Sequence, residues 1–218
     1  MIITKEEVST FDYRDSFKYF CLKNCICQLL STKVEDPFAY INCAPCVYFY
    51  FSDQLPDGYA VRYNKNPLQE SYESSFKLIV PMQKYAEMNF ENIIKTLDKN
   101  IPVIASTDVY YLPYKQYYHK YHASHAIIIH GYDNASKIID VIDFYDHNFF
   151  VETLSYADFF NSWSSDNPSD VNPFSGWPIN NIWGFLKPLE TNVISLELVK
   201  NTLVSTLNFL HGRNGKKL

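Results

Sequence analysis

The chain has 218 residues, of which 47% are hydrophobic and 20% charged, with a formal net charge of −5. That balance supports a packed globular core and argues against wholesale disorder. No basic block or periodic basic face stands out, so nucleic acid is not an expected partner. No apolar run reaches membrane-spanning length, so neither is a membrane.

Met1 to Thr10 is polar, carries early acids and lacks the apolar centre of a signal peptide, which predicts a cytoplasmic location. Phe11 to Phe20 mixes aromatic and charged residues and leads into Cys21. From Leu22 to Leu30, apolar residues at 22, 25, 26, 29 and 30 have helical spacing. Cys21 therefore falls at a helix N-terminus, where the helix dipole and free N–H groups favour a thiolate. Asp36-Pro37 breaks the helix. Phe38 to Phe51 reads as extended, and Asp53 to Asn66 holds the turn Pro56-Asp57-Gly58.

There are five cysteines, at 21, 25, 27, 43 and 46. The odd count and the lack of a signal sequence argue against a disulfide framework. Cys43-Ala-Pro-Cys46 has C-x-x-C spacing. A redox role needs a thioredoxin-like setting, and zinc needs further ligands, whereas the histidines are distant. These two cysteines are therefore read as small buried hydrophobes, and neither metal nor cofactor is expected.

Glu70 to Val80 reads as a strand region. Glu87 to Lys99 is a helix, with Phe90, Ile93, Ile94 and Leu97 on one face. Asn100-Ile101-Pro102 ends it and starts the strand Val103-Ile104-Ala105. Asp108 to Tyr121 is a long aromatic loop, of a length that often carries function. Its tyrosines at 110, 111, 114, 117 and 118 either wall a substrate cleft or simply pack.

His125 leads into Ala126-Ile127-Ile128-Ile129, a short β-branched run closed by turn residues at Gly131-Tyr132-Asp133-Asn134. Ile138 to Ile142 is a second such run, ended by Asp143. A histidine at one strand's start and an acid at the next strand's end can lie side by side in an antiparallel pair, and a carboxylate there fixes the imidazole's tautomer. Asp140 and Asp146 are alternatives for the acid; Asp133 belongs to the turn. His119 and His122 lie in the aromatic loop, and His130 at the strand's far end. His-x-x-His at 122 and 125 is not diagnostic of a metal.

Ser155 to Trp163 is a short helix. Ser164 to Pro178 is a loop, Ile182 to Leu186 a last strand, and Ile194 to Leu210 a helix before a basic tail.

Cysteine, then histidine, then acid is the chain order of papain-like thiol enzymes. Cys25 is the second choice for the nucleophile, since it sits one turn inside the helix, where the dipole has faded. Cys27 comes after it.

Three segments resemble the N-terminal domain of the butirosin biosynthesis protein H family, a branch of the papain-like fold. They are Cys21-Leu-Lys-Asn-Cys-Ile-Cys-Gln-Leu-Leu30, Pro102-Val-Ile-Ala-Ser-Thr-Asp-Val-Tyr-Tyr-Leu-Pro-Tyr114 and Ser124-His-Ala-Ile-Ile-Ile-His-Gly-Tyr-Asp133. The resemblance implies an α+β papain-like fold, with the helix bearing Cys21 packed on an antiparallel sheet bearing His125 and Asp143. The resemblance spans roughly Tyr19 to Phe160, and the chain is read as one papain-like domain over 1–218, with its core over about 11–190 and a helical C-terminal extension over about 191–218. The implied activity is a Cys–His–Asp acyltransferase of peptide or aminoglycoside-type natural-product biosynthesis, working through a thioester on Cys21. Catalysis falls to Cys21, His125 and Asp143, and substrate binding to Asp108, Tyr110, Tyr111 and Tyr114. The substrate is a small-molecule or peptidyl acyl group, and an acyl or peptidyl carrier protein is an implied partner. The rival readings are a peptidase or amidase with the same centre, and a catalytically silent binding module.

Overall fold

The structure, a computed structural model, describes residues 21–31, 47–51, 59–63, 76–79, 86–145, 148–186, 200 and 204. Expectations for Met1 to Phe20, for Cys43 and Cys46, for the 56–58 turn, for Asp146 and for most of the 191–218 extension lie outside these residues. The chain divides into two compact units: Met1–Thr32 with Lys77–Lys187, and Lys33–Phe76 with Pro188–Leu218.

In the second unit, β1 (Val47–Phe51) pairs antiparallel with β2 (Tyr59–Tyr63), setting Phe49 opposite Val61. The first strand falls inside the expected extended stretch. The second follows the expected 56–58 turn, and Tyr-Ala-Val-Arg-Tyr alternates in the manner of a strand. Lys200 and Val204 are helical, within the helix expected there.

The first unit holds α1 (Cys21–Ser31), α2 (Ala86–Leu97) and α3 (Tyr156–Trp163). Its strands include β4 (Val103–Asp108), β5 (Ser124–Asp133), β6 (Ile138–Tyr145) and β7 (Asn148–Ser155). With β3 (Phe76–Ile79) and β8 (Trp183–Leu186) these form a six-stranded sheet in the order β3-β8-β4-β5-β6-β7. The pairs β8–β4, β4–β5, β5–β6 and β6–β7 are all antiparallel. The fold is therefore α+β, as expected.

Each element follows from its residues. In α1 the apolar spacing buries Cys25, Ile26, Leu29 and Leu30, and the polar Asn24 and Gln28 are buried as well. Leu22, expected on the apolar face, is instead 41% exposed at the helix start. Helix α2 turns Phe90, Ile93 and Leu97 to the core and leaves Lys95 and Glu91 outside as an i,i+4 pair. It ends where Asn100 takes a left-handed φ of 57° and donates to the Leu97 carbonyl, and Pro102 prevents its continuing. Ser155 caps α3 by accepting from the Asp158 amide. Phe159 and Trp163 of that helix stack with centroids 5.2 Å apart, and both are fully buried. They share one core with Ile127, Ile129, Ile139 and Val141 of the central strands.

Strand β5, central between β4 and β6, is continuously buried from Ala126 to Ile129, with Ile127 and Ile129 packed in the core shared with α2 and α3. The β5–β6 register shifts between Ile129 and Gly131, and Gly131 then faces Asp140. A side chain at 131 would meet the Asp140 carboxylate at 2.5 Å, so glycine suits this bulge. Asp133 closes the turn by accepting from the Ala135 and Ser136 amides. Among the described residues, no helix is long and apolar enough to cross a membrane.

Candidate active site

Two strands, a loop and a helix converge on one carboxylate. Ile128 stands opposite Ile142 in the β5–β6 ladder. His125 lies three residues before that pair and Asp143 one residue after it. Both offsets are odd, so the two side chains can share one face of the sheet. They meet there, with His125 Nε2 2.7 Å from Asp143 Oδ1. The Phe144 amide donates to the same oxygen at 2.6 Å.

The other oxygen, Oδ2, lies 2.9 Å from the ammonium of Lys115, which also donates to the Phe144 carbonyl at 2.8 Å. The lysine side chain is 6% exposed, and the rings of Tyr114, Phe144 and Phe150 lie 5.5 to 5.8 Å from its nitrogen. Asp143 is buried on every side.

Helix α1 is braced against this arrangement by Cys25, whose thiol donates to the Ala126 carbonyl at 3.4 Å. Ala126 follows His125, and Cys21 lies one helical turn before Cys25. The brace thus sets the helix start beside the imidazole, close enough for His125 to lower the pKa of the Cys21 thiol. With Nε2 given to Asp143, Nδ1 is the nitrogen left for the thiol.

The electrostatics favour a charged pair. Burial pushes the Cys21 thiol up, but the His125 hydrogen bond and charge, helped by the Ala126 and Leu22 backbone, bring it below its ordinary value. Burial pushes His125 down and the nearby Lys115 opposes its protonation, yet Asp143 and Cys21 raise it overall. Burial disfavours the Asp143 carboxylate, and His125 and Lys115 together hold it below the usual range. Cys25 moves the other way: burial, then Cys21 and Asp143, raise its thiol well above the ordinary value. Two adjacent thiols on one helix therefore differ sharply in character.

Of the four residues expected to bind substrate, Tyr114 stands at this centre. Burial and then the Asp143 carboxylate push its hydroxyl well above the ordinary value. The other three form a separate cluster. In register, Asp108 faces Ser124 while Thr107 faces His125, which puts Asp108 on the other side of the pleat from the imidazole. Asp108 is fully buried, and its carboxylate accepts from the Tyr110 and Ala123 amides and from Ser165 Oγ. It also lies 2.7 Å from His122 Nδ1. Tyr110 stacks on His122 at 4.2 Å, and Tyr111 packs edge-on against Tyr110.

The remaining candidates lie elsewhere. His119 has a left-handed φ of 53° and stacks on Tyr118. His130 is half-buried, and burial lowers its pKa. Asp140 faces Gly131. Among the described residues no group of three or more His, Cys, Asp or Glu is placed to hold a metal ion. Lys115 is the residue that sequence reasoning did not single out. One lysine in an aromatic loop gives no sign of burial, because lysines are rarely buried unless paired.

Fold and site together define an α+β protein in which a helix-start cysteine meets a histidine–carboxylate pair on an antiparallel sheet. The chain belongs to the family described as butirosin biosynthesis protein H, N-terminal, whose pattern matches residues 33–144. The matched stretch includes Asp108, Tyr114, Lys115, His125 and Asp143, and it starts past Cys21. No curated protein matches the chain.

Proposed function

We propose that the protein is a cysteine-dependent acyltransferase of natural-product biosynthesis, built on a papain-like thiol centre. The observation that carries this reading is the His125–Asp143 contact beside the start of α1, where His125 lowers the thiol pKa of Cys21, the first residue of that helix. Family membership supports a biosynthetic role of the butirosin type.

The chemistry follows from the proton positions. His125 holds the Cys21 proton, leaving a thiolate at the helix start. The sulfur attacks the carbonyl carbon of a thioester, and the tetrahedral oxyanion is met by N–H groups of the helix N-terminus, that of Cys21 among them. The carbon–sulfur bond to the donor breaks, and the departing thiolate takes the proton from His125. The acyl group is then a thioester on Cys21. An incoming amine attacks it, His125 accepts the amine's proton, and the Cys21 thiolate leaves with an amide as product. Water in place of the amine would give the acid, which is the hydrolase alternative. Thioester donors suit the first step because one thioester is exchanged for another; such a donor would arrive on an acyl or peptidyl carrier protein.

The test is direct. A simple acyl N-acetylcysteamine thioester should be consumed by the wild type and not by Cys21→Ala. Added primary amines should divert the product from acid to amide. Consumption with no amine effect would replace transfer by hydrolysis. If no thioester or peptide is consumed and Cys21→Ala changes nothing, the silent binding module is the better account.

A further inference from the structure

We propose that Lys115 is a positioning residue of this centre: its ammonium, held between the Phe144 carbonyl and the second oxygen of Asp143, fixes the carboxylate toward His125 and lets it stay buried as an anion. The inference rests on reading Cys21, His125 and Asp143 as the reactive centre.

The argument is one of charge balance in a buried place. A desolvated carboxylate with only a neutral imidazole for a partner tends to take up a proton instead of remaining charged. Lys115 supplies an opposite charge 2.9 Å away. With it, the four groups sum to zero whether the proton sits on Cys21 or on His125. No uncompensated charge is then buried in either arrangement, and Asp143 need not titrate. Geometry points the same way. Lys115 takes one oxygen and His125 the other, so the carboxylate cannot turn without losing both partners. The rings of Tyr114, Phe144 and Phe150 confine the ammonium itself.

The charged and titratable groups that face the pair are Cys21 and Cys25 from α1, Lys115 and Tyr114 from the loop after β4, and Glu152 of β7, which acts on Tyr114. Among them Lys115 is the cation that opposes protonation of His125. Removing its charge should therefore let the His125–Asp143 pair keep its proton to higher pH.

The experiment is the rate of Cys21 alkylation by iodoacetamide across pH, on the full chain, for wild type, Lys115→Met and Lys115→Arg. Its upper inflection reads the loss of the proton held by the His125–Asp143 pair. Lys115→Met should move that inflection up by about one pH unit or more, and Lys115→Arg should move it much less. Should Lys115→Met fail to fold, Lys115→Gln, which still offers a donor to the Phe144 carbonyl, carries the same test. In the unmutated chain, the Lys115 13Cε resonance should shift at the pH of the upper inflection. A merely structural lysine would alter melting temperature and leave the inflection in place. An unmoved inflection in a folded neutral variant, or a Lys115 resonance blind to it, overturns the proposal while the reactive centre stands. Wild-type Cys21 that shows no selective alkylation overturns the reading of the centre instead.

Discussion

Lys115 and His125 divide one carboxylate between them, Lys115 at 2.9 Å from Oδ2 of Asp143 and His125 Nε2 at 2.7 Å from Oδ1. The division fixes the imidazole as well as the acid. A ring that gives Nε2 to Asp143 must turn Nδ1 the other way, toward the thiol at the start of α1. The orientation of the centre is thus set from a loop lysine, through the acid, to the histidine and the cysteine.

The three described cysteines should separate cleanly in reactivity. Cys21 is partly exposed with its thiol pKa lowered, whereas Cys25 is buried with its thiol raised well above the ordinary value and Cys27 is fully buried. Limited iodoacetamide at mildly acidic pH, followed by peptide mass mapping, should mark Cys21 ahead of both. His125→Ala should cut that labelling at least about tenfold, the equivalent of one pKa unit. Equal labelling of Cys25 would move the nucleophile one turn along the helix.

Stability should depend on pH from both sides. Asp143 is held below its ordinary value of 3.8, so its contribution is full above that value and is lost as pH falls through the depressed one. His125 is raised above its ordinary 6.5, so its contribution is full below 6.5 and is lost as pH rises through the raised value. The Cys21 thiol, being depressed, has the opposite sign on the alkaline side, which makes Cys21→Ala the cleaner background. In that background the melting temperature should be highest between the two ordinary values and fall outside them. Adding His125→Ala should remove the alkaline fall. An alkaline fall that survives would show that another group titrates there.

Much of this architecture was legible because periodicity and turn chemistry agree. The 3.6-residue pattern from Phe90 to Leu97 and the β-branched runs flanking Gly131 to Asn134 gave α2, β5 and β6. Strand β7 was not anticipated. Its Asn-Phe-Phe-Val-Glu-Thr-Leu-Ser lies at the end of the sheet's strand order, with Glu152 and Thr153 exposed, so no clean alternation marks it. The cysteine, histidine and acid could be proposed because order and context constrain them. Tyr110 and Tyr114 could not be told apart, since both sit in one aromatic stretch and only the folded loop sends one to His122 and the other to Asp143. Lys115 was invisible for a related reason: the residues that make its burial tolerable, Asp143 and Phe144, come from a strand that follows it in sequence by about thirty residues.

Asp108 allows the sharpest separation of scaffold from site. The sequence suggested that it binds substrate, yet its carboxylate is fully buried among four partners: the Tyr110 and Ala123 amides, Ser165 Oγ and His122 Nδ1. The Val109 amide donates to the Ala123 carbonyl alongside. Together these bonds pin both ends of the 109–123 loop, which carries Tyr114 and Lys115 to Asp143. Replacing Asp108 by alanine would strand several donors in the interior, so Asp108→Ala should cost at least about 3 kcal/mol in urea unfolding. Because the loop also holds Lys115, the variant should disturb the alkylation profile of Cys21, though Asp108 touches neither sulfur nor imidazole. Asp108→Asn keeps the shape and one acceptor oxygen, and should retain a larger share of both stability and profile. The competing outcome is equally plain. If Asp108→Ala unfolds at the wild-type urea midpoint and only the KM for a thioester donor rises, Asp108 meets substrate and the loop is pinned by something else.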